Sequence, residues 1–186
     1  MSNKSEEEAS RGFPRPNSSI YKFTQADEEV RVKTLKKWKR INKYLMIPLY
    51  RIGLLPALGF GRIFLLLKTK GRKTGKTRRN PVEYHWINDI IHIFSGRGED
   101  SDWIKNMRAN PDKVRVRHGF HWFQPIIEFV KDLSEKEEIF KWYVIKHPQA
   151  AKMLFGWDPK IDDPETADFS KLIELITVIR LHRKSD

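Results

Sequence analysis

The sequence of 186 residues contains no cysteine. Disulfide bonds, thiolate metal sites and cysteine nucleophiles are therefore excluded. It also contains no long apolar run, because Arg51, Pro56 and Arg62 interrupt its most apolar stretch, residues 47–67, so we expect no membrane-spanning helix. The first 20 residues are polar, with three consecutive glutamates at positions 6–8, and we expect no secretory signal there.

Acidic residues are scarce relative to basic ones. The chain has 24 Asp and Glu against 36 Lys and Arg, which gives a formal net charge of +12. Such an excess calls for an anionic partner. Nucleic acid, an anionic membrane surface and an anionic small molecule all meet this requirement. We expect a cytoplasmic protein, with peripheral contact to the inner face of the membrane as a further expectation.

The chain divides into a tail and one domain. Residues 1–27 are rich in Ser, Glu and Pro and predict a disordered N-terminal tail, whereas residues 28–186 predict a single domain. The domain begins with a basic helix from about residue 27 to 52, in which Leu35, Trp38 and Leu45 lie on an apolar stripe. Such a helix either packs on its own domain or lies on an anionic membrane surface.

The remaining pattern predicts six strands with inserted helices. Apolar runs and period-two alternation predict strands at 63–69, 79–87, 90–95, 113–118, 121–133 and 172–182. Asn88 and Asp89 predict a tight hairpin turn. Helices are predicted at 101–109 and from Ser134, which forms a capping box with Glu137, to about residue 147. Short links between strands indicate an α+β fold with an antiparallel sheet and a small barrel at its centre.

The densest basic segment, residues 68–81 (KTKGRKTGKTRRNP), joins the first two predicted strands. Gly71 and Gly75 let its backbone turn and bring amides close to an anion. Its end is similar to a nucleotide-binding P-loop, but Lys70 occupies a required glycine position, and a strand follows where that motif needs a helix. The residues alone leave three interpretations: an exposed basic turn, a nucleic-acid contact and a site for a phosphorylated cofactor.

Two ordered motifs resemble one known family. Leu65 to Pro81 is similar to the signature of the deazaflavin-dependent nitroreductase and quinone reductase family, T-x-G-R-K-[ST]-G-x-x-R-x-x-P after an apolar strand. The second block, residues 95–98 with 103–111, also resembles that family, and the likeness covers about residues 30–118. The resemblance implies a split β-barrel of the FMN-binding type, binding of coenzyme F-420 (F420), and hydride transfer to a quinone-like or other electron-poor acceptor. A homodimer is implied as well.

The resemblance also implies the site residues. Lys73 and Arg78 match the family's basic positions on the cofactor phosphate and tail. Trp103 and Asn106, three residues apart on one helix face, match a pair that faces the cofactor. The remaining implied positions are the assisting cations Arg72, Lys76 and Arg79, the strand residues Pro81 and Val82 beside the deazaflavin, and Ser95, Gly96 and Arg97 at the ring and acceptor pocket, with Ser95 as the catalytic candidate.

Two features depart from the family pattern. Gly96 occupies a position where a basic residue often follows the serine, and residues 148–157 contain Met153, Phe155 and Trp157 where characterised members have tyrosines. The identity of the cofactor is accordingly better supported than that of the acceptor. The alternatives are a split-barrel protein that binds the cofactor without turnover or uses FMN, and a basic nucleic-acid-binding protein. The six histidines lack the spacing of a metal-ligand set, and we expect no metal site.

Overall fold

A computed structural model describes residues 12–16 and 18–183 of the protein. Its contacts divide the chain into two compact units. We call the first, Lys36–Phe129 with Val178–Asp186, the sheet unit, and the second, Met1–Leu35 with Val130–Thr177, the helical unit. This division differs from the single domain predicted for residues 28–186, because the N-terminal segment and the later helices share an aromatic cluster of their own.

One seven-stranded sheet organises the sheet unit. Its strands follow the order β5-β4-β1-β2-β3-β7-β6, and the pairs β1–β2, β1–β4, β2–β3 and β4–β5 are antiparallel. The predicted α+β class is confirmed, with seven strands in place of six. The strands are β1 (Phe64–Lys70), β2 (Thr77–Ile87), β3 (Ile90–Ser95), β4 (Arg115–His118), β5 (His121–Phe123), β6 (Pro125–Val130) and β7 (Thr177–Arg183).

Strand β2 changes partner along its length. Its residues 77–83 pair with β1, from Lys70 opposite Thr77 to Phe64 opposite Glu83, whereas residues 84–87 pair with β3. One long strand therefore connects two lobes of an antiparallel sheet, as expected of the predicted split β-barrel, and that fold class is confirmed. The β2–β3 turn is also as predicted, because Asn88 and Asp89 have φ of 49° and 60°, the left-handed values of a two-residue hairpin.

Two predicted strands differ in the structure. The run predicted as one strand over 121–133 is divided at Gln124 into β5 and β6. The run predicted as a strand over 172–182 begins as a helix, Ser170–Leu175, and only then continues as β7. A short apolar run has no period that separates a buried helix from a buried strand, and Leu172 and Ile173 are buried as helix residues.

The main core lies on one face of the sheet. Helix α5 (Asp102–Ala109) contributes Ile104 and Met107, both fully buried, to a cluster with Leu65, Leu67 and Val82. Burying such side chains is the main favourable term in folding. This cluster fixes α5 next to the β1–β2 end of the sheet, which matters for the site described below.

The N-terminal part of the sheet unit is helical. Tyr50 is fully buried with Leu55 and Leu66, and its hydroxyl lies 3.1 Å from the carbonyl oxygen of Phe64 and 3.2 Å from that of Arg117. Burial raises the pKa of the Tyr50 phenol to about 12. The helical elements are α2 (Glu28–Ile41), a π-helical turn (Asn42–Met46), α3 (Ile47–Arg51), α4 (Leu54–Ala57) and a 3-10 turn (Phe60–Arg62).

Helix α2 exposes its apolar stripe. The predicted basic helix is present, since helical turns run from Glu28 through Arg51, but no residue of α2 is buried. Trp38 is 44% exposed, so the stripe does not enter a core. No helix in the described ranges has the length and apolarity needed to cross a membrane.

An aromatic cluster holds the helical unit together. The ring of Phe13 is buried, stacks on Phe169 at 5.3 Å and meets the edge of Phe155 at 5.9 Å. Arg15 binds both carboxylate oxygens of Asp162, at 2.6 and 2.9 Å. The prediction of a disordered tail over residues 1–27 is therefore wrong for residues 12–16 and 18–27; residues 1–11 and 17 lie outside the described residues. The unit's helices are α1 (Ser19–Thr24), α6 (Leu133–Lys146), α7 (Pro148–Phe155) and α8 (Ser170–Leu175).

The start of α6 also differs from the sequence prediction. Asp132 caps this helix by accepting a hydrogen bond from the backbone N–H of Glu135 at 2.8 Å. The predicted capping box of Ser134 and Glu137 is therefore wrong by two residues. A carboxylate is as good an N-cap as a hydroxyl, and both Asp132 and Ser134 fit the sequence pattern.

A hydrogen-bond chain leads from the surface into the sheet unit. Arg183 has only donors, so we infer that its Nη2 donates to Nδ1 of His118 at 3.4 Å. The His118 proton then lies on Nε2, 2.6 Å from the Tyr84 hydroxyl, which in turn donates to the Gly61 carbonyl at 2.9 Å. Burial, followed by the charge of Arg183, lowers the pKa of His118. Burial likewise lowers the pKa of His92.

These lowered pKa values predict acid sensitivity. In the unfolded chain both histidines take up a proton near pH ~6.5, whereas the folded protein takes it up only at lower pH. Between the two pKa values the unfolded state holds more protons, so stability rises with pH and is lost as pH falls. We expect the free energy of unfolding, measured by urea denaturation, to decrease from pH ~7.5 to ~5, with a smaller slope for His118→Asn. Equal slopes for the wild type and His118→Asn would contradict the role of His118.

Candidate cofactor site

The β1–β2 connection is a tight turn with a fixed backbone. The Gly71 N–H donates to the Lys76 carbonyl at 2.9 Å, and the Gly75 N–H donates to the Gly71 carbonyl at 2.8 Å. Gly75 has a left-handed φ of +63°, which favours glycine. A Cβ added at Gly71 would lie 3.2 Å from both the Lys76 carbonyl oxygen and the Thr74 hydroxyl. The shape of this loop, residues 71–76, therefore favours glycine at 75 through its backbone conformation and at 71 through the limited space.

Helix α5 braces the loop through one arginine. The Arg72 backbone N–H donates to Oδ1 of Asn106 at 3.0 Å, and Nη1 of the same arginine donates to the same oxygen at 3.1 Å. Nη2 of Arg72 forms an ion pair with Oδ1 of Asp102 at 3.1 Å. Asn110 adds a bond from its amide to the Lys70 carbonyl at 3.4 Å. The loop is thus bound to α5 through Asp102 and Asn106, and the Asn110 bond joins the residues just outside the helix and the loop. Of the sequence-predicted residues, Arg72 and Asn106 are brought into direct contact with each other.

Four basic side chains on and after the loop have no acidic partner among residues 12–16 and 18–183. The two on β2, Arg78 and Arg79, point in opposite directions, since neighbouring strand residues point to opposite faces of the sheet. Arg78 lies opposite Thr69 of β1, whereas Arg79 lies opposite Lys68. The structure therefore separates Arg78 from Arg79. The four cations are Lys73, Lys76 and Arg78, all exposed, and Arg79, half-buried.

A buried hydroxyl lies at the base of the loop. Thr69 is 2% exposed, and its Oγ1 has no hydrogen-bond partner among the described residues. A buried polar group without a partner costs roughly 1–3 kcal/mol. Thr69 was not singled out from the sequence, although it is the threonine of the T-x-G-R-K motif. Asp102 was also missed; its spacing of four from Asn106 on α5 places both on one helix face and could have identified it.

The turn after β3 is closed by Ser95. The Ser95 hydroxyl lies 2.6 Å from the Ser101 hydroxyl and donates to the Gly98 carbonyl at 3.1 Å. Ser95 is buried, and Gly98 has a left-handed φ of +50°. Arg97 donates to the Asp100 carbonyl at 3.2 Å. These bonds give the turn from residue 95 to 101 a fixed shape, and the role of Ser95 that they indicate is a structural one.

The remaining sequence-predicted residues lie on two elements. Pro81 and Val82 are in the part of β2 that pairs with β1, and Val82 points into the main core. Trp103 is half-buried and packs against the same core, so its indole acts as an anchor for α5. Gly96 lies in the turn that Ser95 closes. Only residues 84–87 of β2 pair with β3, so the first half of β2 has an edge that β3 does not cover. This edge lies between the loop and the turn.

These features fit an anionic cofactor with a flat ring. Uncompensated cations on a rigid loop favour phosphate and carboxylate groups without first breaking ion pairs of their own. The two glycines allow close approach of the backbone, and the buried Thr69 hydroxyl supplies a free polar atom. Family residues of this kind would hold F420 through its phosphate and acidic tail, with Lys73 and Arg78 as the matching positions.

A braced cationic loop at the rim of a split antiparallel sheet is a feature suited to an anionic cofactor. The chain belongs to the F420H(2)-dependent quinone reductase family, whose sequence profile matches residues 58–156. It is therefore an F420-dependent oxidoreductase, and its cofactor is coenzyme F420. The predictions of family, enzyme class and cofactor are confirmed.

Several solved structures are similar to this chain. One described as an F420-H2-dependent reductase (FDR-A) is 25% identical, with a TM-score of 0.43, over 65% of this chain and 95% of the other. A domain-swapped dimer is 24% identical, with a TM-score of 0.44, over 65% and 81%. A putative pyridoxamine 5'-phosphate oxidase from Listeria innocua is 14% identical, with a TM-score of 0.43, over 69% and 91%. No curated protein matches the chain.

The brace predicts a specific effect of changing Asn106. Asn106→Leu removes the acceptor for two Arg72 donors and should lower the free energy of unfolding by about 1–3 kcal/mol, since each of the two hydrogen bonds contributes roughly 0.5–1.5 kcal/mol. Asn106→Asp keeps the oxygen acceptor and should retain most of that stability. Urea denaturation of both variants measures the difference. Equal stability of the Leu variant and the wild type would contradict the brace.

Proposed function

We propose that the protein reduces a quinone-like or other electron-poor, conjugated acceptor with reduced F420. The braced cationic loop is the observation that carries the proposal, because it provides a preorganised place for the charged part of this cofactor. The description of the family, F420H(2)-dependent quinone reductase, supports the acceptor class. Bound F420 supplies the hydride, and the chain supplies binding, orientation and exclusion of water.

Within this proposal the residues divide into binding and positioning groups. Lys73 and Arg78 bind the phosphate and the tail, and Lys76 adds positive charge beside them. Arg72 and Asn106 act as positioning residues, because their hydrogen bonds are made to each other. The open edge of β2 at Pro81, the backbone of Val82 and the turn at Gly96 and Arg97 flank the ring.

The prediction that Ser95 is catalytic receives less support. Its hydroxyl is buried and already engaged with Ser101 and Gly98. We propose instead that Ser95 holds the turn that flanks the ring, so that the serine contributes through backbone geometry. Ser95→Ala removes this hydroxyl, whereas Ser101→Ala breaks one bond of the turn and leaves the Ser95 hydroxyl in place. Similar losses of turnover at saturating cofactor in both variants would support the positioning role, and a loss in Ser95→Ala alone would support the catalytic one.

Three further expectations from the sequence enter the proposal. Contact of the basic helix α2 with the inner face of a membrane is supported by its exposed stripe, which includes Trp38. A cytoplasmic location and a homodimer are part of the proposal, the second supported by the resemblance alone, and sedimentation velocity would determine the oligomeric state.

Removing two cations of the loop tests the function. Lys73→Ala/Arg78→Ala should weaken F420 binding, measured by fluorescence titration, at least about 100-fold, since each charge-assisted contact contributes roughly 1.5–3 kcal/mol and two are removed. Oxidation of reduced F420 by menadione should then show a raised KM for the cofactor with little change in kcat, as expected for lost uniform binding. The matched control Lys131→Ala/Lys146→Ala removes two exposed cations of the helical unit and should bind F420 normally.

The outcomes separate the parts of the proposal. Unchanged F420 affinity in the loop variant would refute the site. Tight F420 binding without menadione reduction would refute the acceptor class and favour a binding protein without turnover. Reduction with FMN but not F420 would favour the flavin alternative.

A further inference from the structure

One side of the sheet unit carries an unusual number of exposed apolar side chains. Ile52, Leu58 and Phe120 are 76%, 63% and 59% exposed. Exposed apolar patches of this kind mark contact surfaces for lipids, partners or ligands. We define the apolar surface by its six members: Ile52, Leu54, Leu58, Phe60, Ile63 and Phe120.

These residues come from two chain segments that lie against each other. A Cβ added at Gly53 would lie 3.0 Å from the ring of Phe120, and one added at Gly61 would lie 3.5 Å from the Cα of Gly119. The Gly61 carbonyl also accepts the hydrogen bond from the buried Tyr84 hydroxyl, which anchors the segment to the sheet. The β4–β5 turn and residues 52–63 therefore form one continuous surface.

The chain segments that form the apolar surface contain no acid. From Val30 to Val82 there are 16 Lys and Arg and no Asp or Glu, and residues 113–127 also lack acidic side chains. Arg51 and Arg62 are exposed within the apolar segment itself. The guanidinium of Arg117 lies over the Phe120 ring at 5.9 Å. The segments that form the apolar surface are therefore rich in basic residues, and Glu83, opposite Phe64 on β2, is the acidic residue that the strand pairing brings near them.

A row of three cations crosses the adjacent strands. Lys68 of β1 lies directly opposite Arg79 of β2 and directly opposite Arg115 of β4, so all three are on one sheet face. Like charges in direct cross-strand register repel each other, and an anion bound between them would offset this repulsion. The Lys68 ammonium lies 5.2 Å from the Trp122 ring, and Trp122 is itself exposed. Trp122 shares this face because it pairs with Arg117.

We propose that the apolar surface and the cation row dock the protein on an anionic lipid membrane. The apolar side chains enter the headgroup region, the cations bind lipid phosphates, and Trp122 lies at the interface. A second copy of the chain fits this surface less well, because a two-fold contact would place the cations of one copy against the same cations of the other. This surface is separate from helix α2 and does not depend on the proposed acceptor.

The absence of cysteine allows a direct test. Leu58→Cys labelled with an environment-sensitive dye provides a unique probe in the apolar surface, and Ile161→Cys, at a position 76% exposed in the helical unit, is the matched control. On adding phosphatidylglycerol vesicles we expect a blue shift at position 58 and none at 161. Phosphatidylcholine vesicles at the same salt concentration should produce little shift, because the cation row requires anionic headgroups.

A second pair of variants measures the contribution of the apolar side chains. Leu58→Ser/Phe120→Ser leaves every charge and helix α2 intact and should lower binding to phosphatidylglycerol vesicles, measured by cosedimentation, at least about tenfold. Met153→Ser/Ile161→Ser changes two equally exposed apolar residues and should bind as the wild type does. Circular dichroism and F420 titration in solution verify that each variant is folded and keep the result independent of the enzymatic proposal.

Three results would overturn the proposal. Equal dye shifts at positions 58 and 161 would mean that the apolar surface is not the docking site. A concentration-dependent shift at position 58 without vesicles would assign the surface to a second copy of the chain. Equal binding of the wild type and Leu58→Ser/Phe120→Ser to phosphatidylglycerol would mean that the apolar side chains do not contribute and that electrostatic attraction alone accounts for binding.

Discussion

The proposed cofactor site depends on the bonds between Arg72 and helix α5. An arginine in a loop of like charges would be repelled by its neighbours, but Asp102 and Asn106 take up its guanidinium and its backbone N–H. The hydrophobic packing of α5 on the sheet fixes those two acceptors in turn. The loop therefore has one conformation before any ligand arrives, and the cost of ordering it is not subtracted from the binding free energy.

The same sheet separates positive charge onto two faces. Arg78 shares its face with Thr69, whereas Arg79 joins Lys68 and Arg115 on the other. We infer that one basic segment serves two anionic contacts, the cofactor on the loop side and the lipid surface on the other. A protein that draws a lipophilic acceptor from a membrane would gain from this arrangement, because docking and cofactor binding would not compete for the same cations.

The periodicity of apolar residues and the sequence motifs predicted much of this architecture. The hairpin at Asn88 and Asp89, the antiparallel sheet and the basic loop were all predictable, because each depends on local sequence. The separate roles of the loop residues could not be predicted. Arg72 differs from its basic neighbours because it binds Asp102 and Asn106, which lie 30 and 34 positions away in the chain. The structured N-terminal segment was missed for the same reason, since Phe13 is buried by aromatic residues that lie more than 140 positions later.

The most direct test of the account compares F420 with the same deazaflavin lacking phosphate and tail. If the braced loop holds the charged part of the cofactor, F420 should bind the wild-type protein at least about 100-fold more tightly at low salt, and the difference should shrink as salt screens the loop. Fluorescence titration at two salt concentrations measures both values. Equal affinity for the two compounds at low salt would contradict the assignment of Lys73, Lys76 and Arg78 as the anchor of the cofactor.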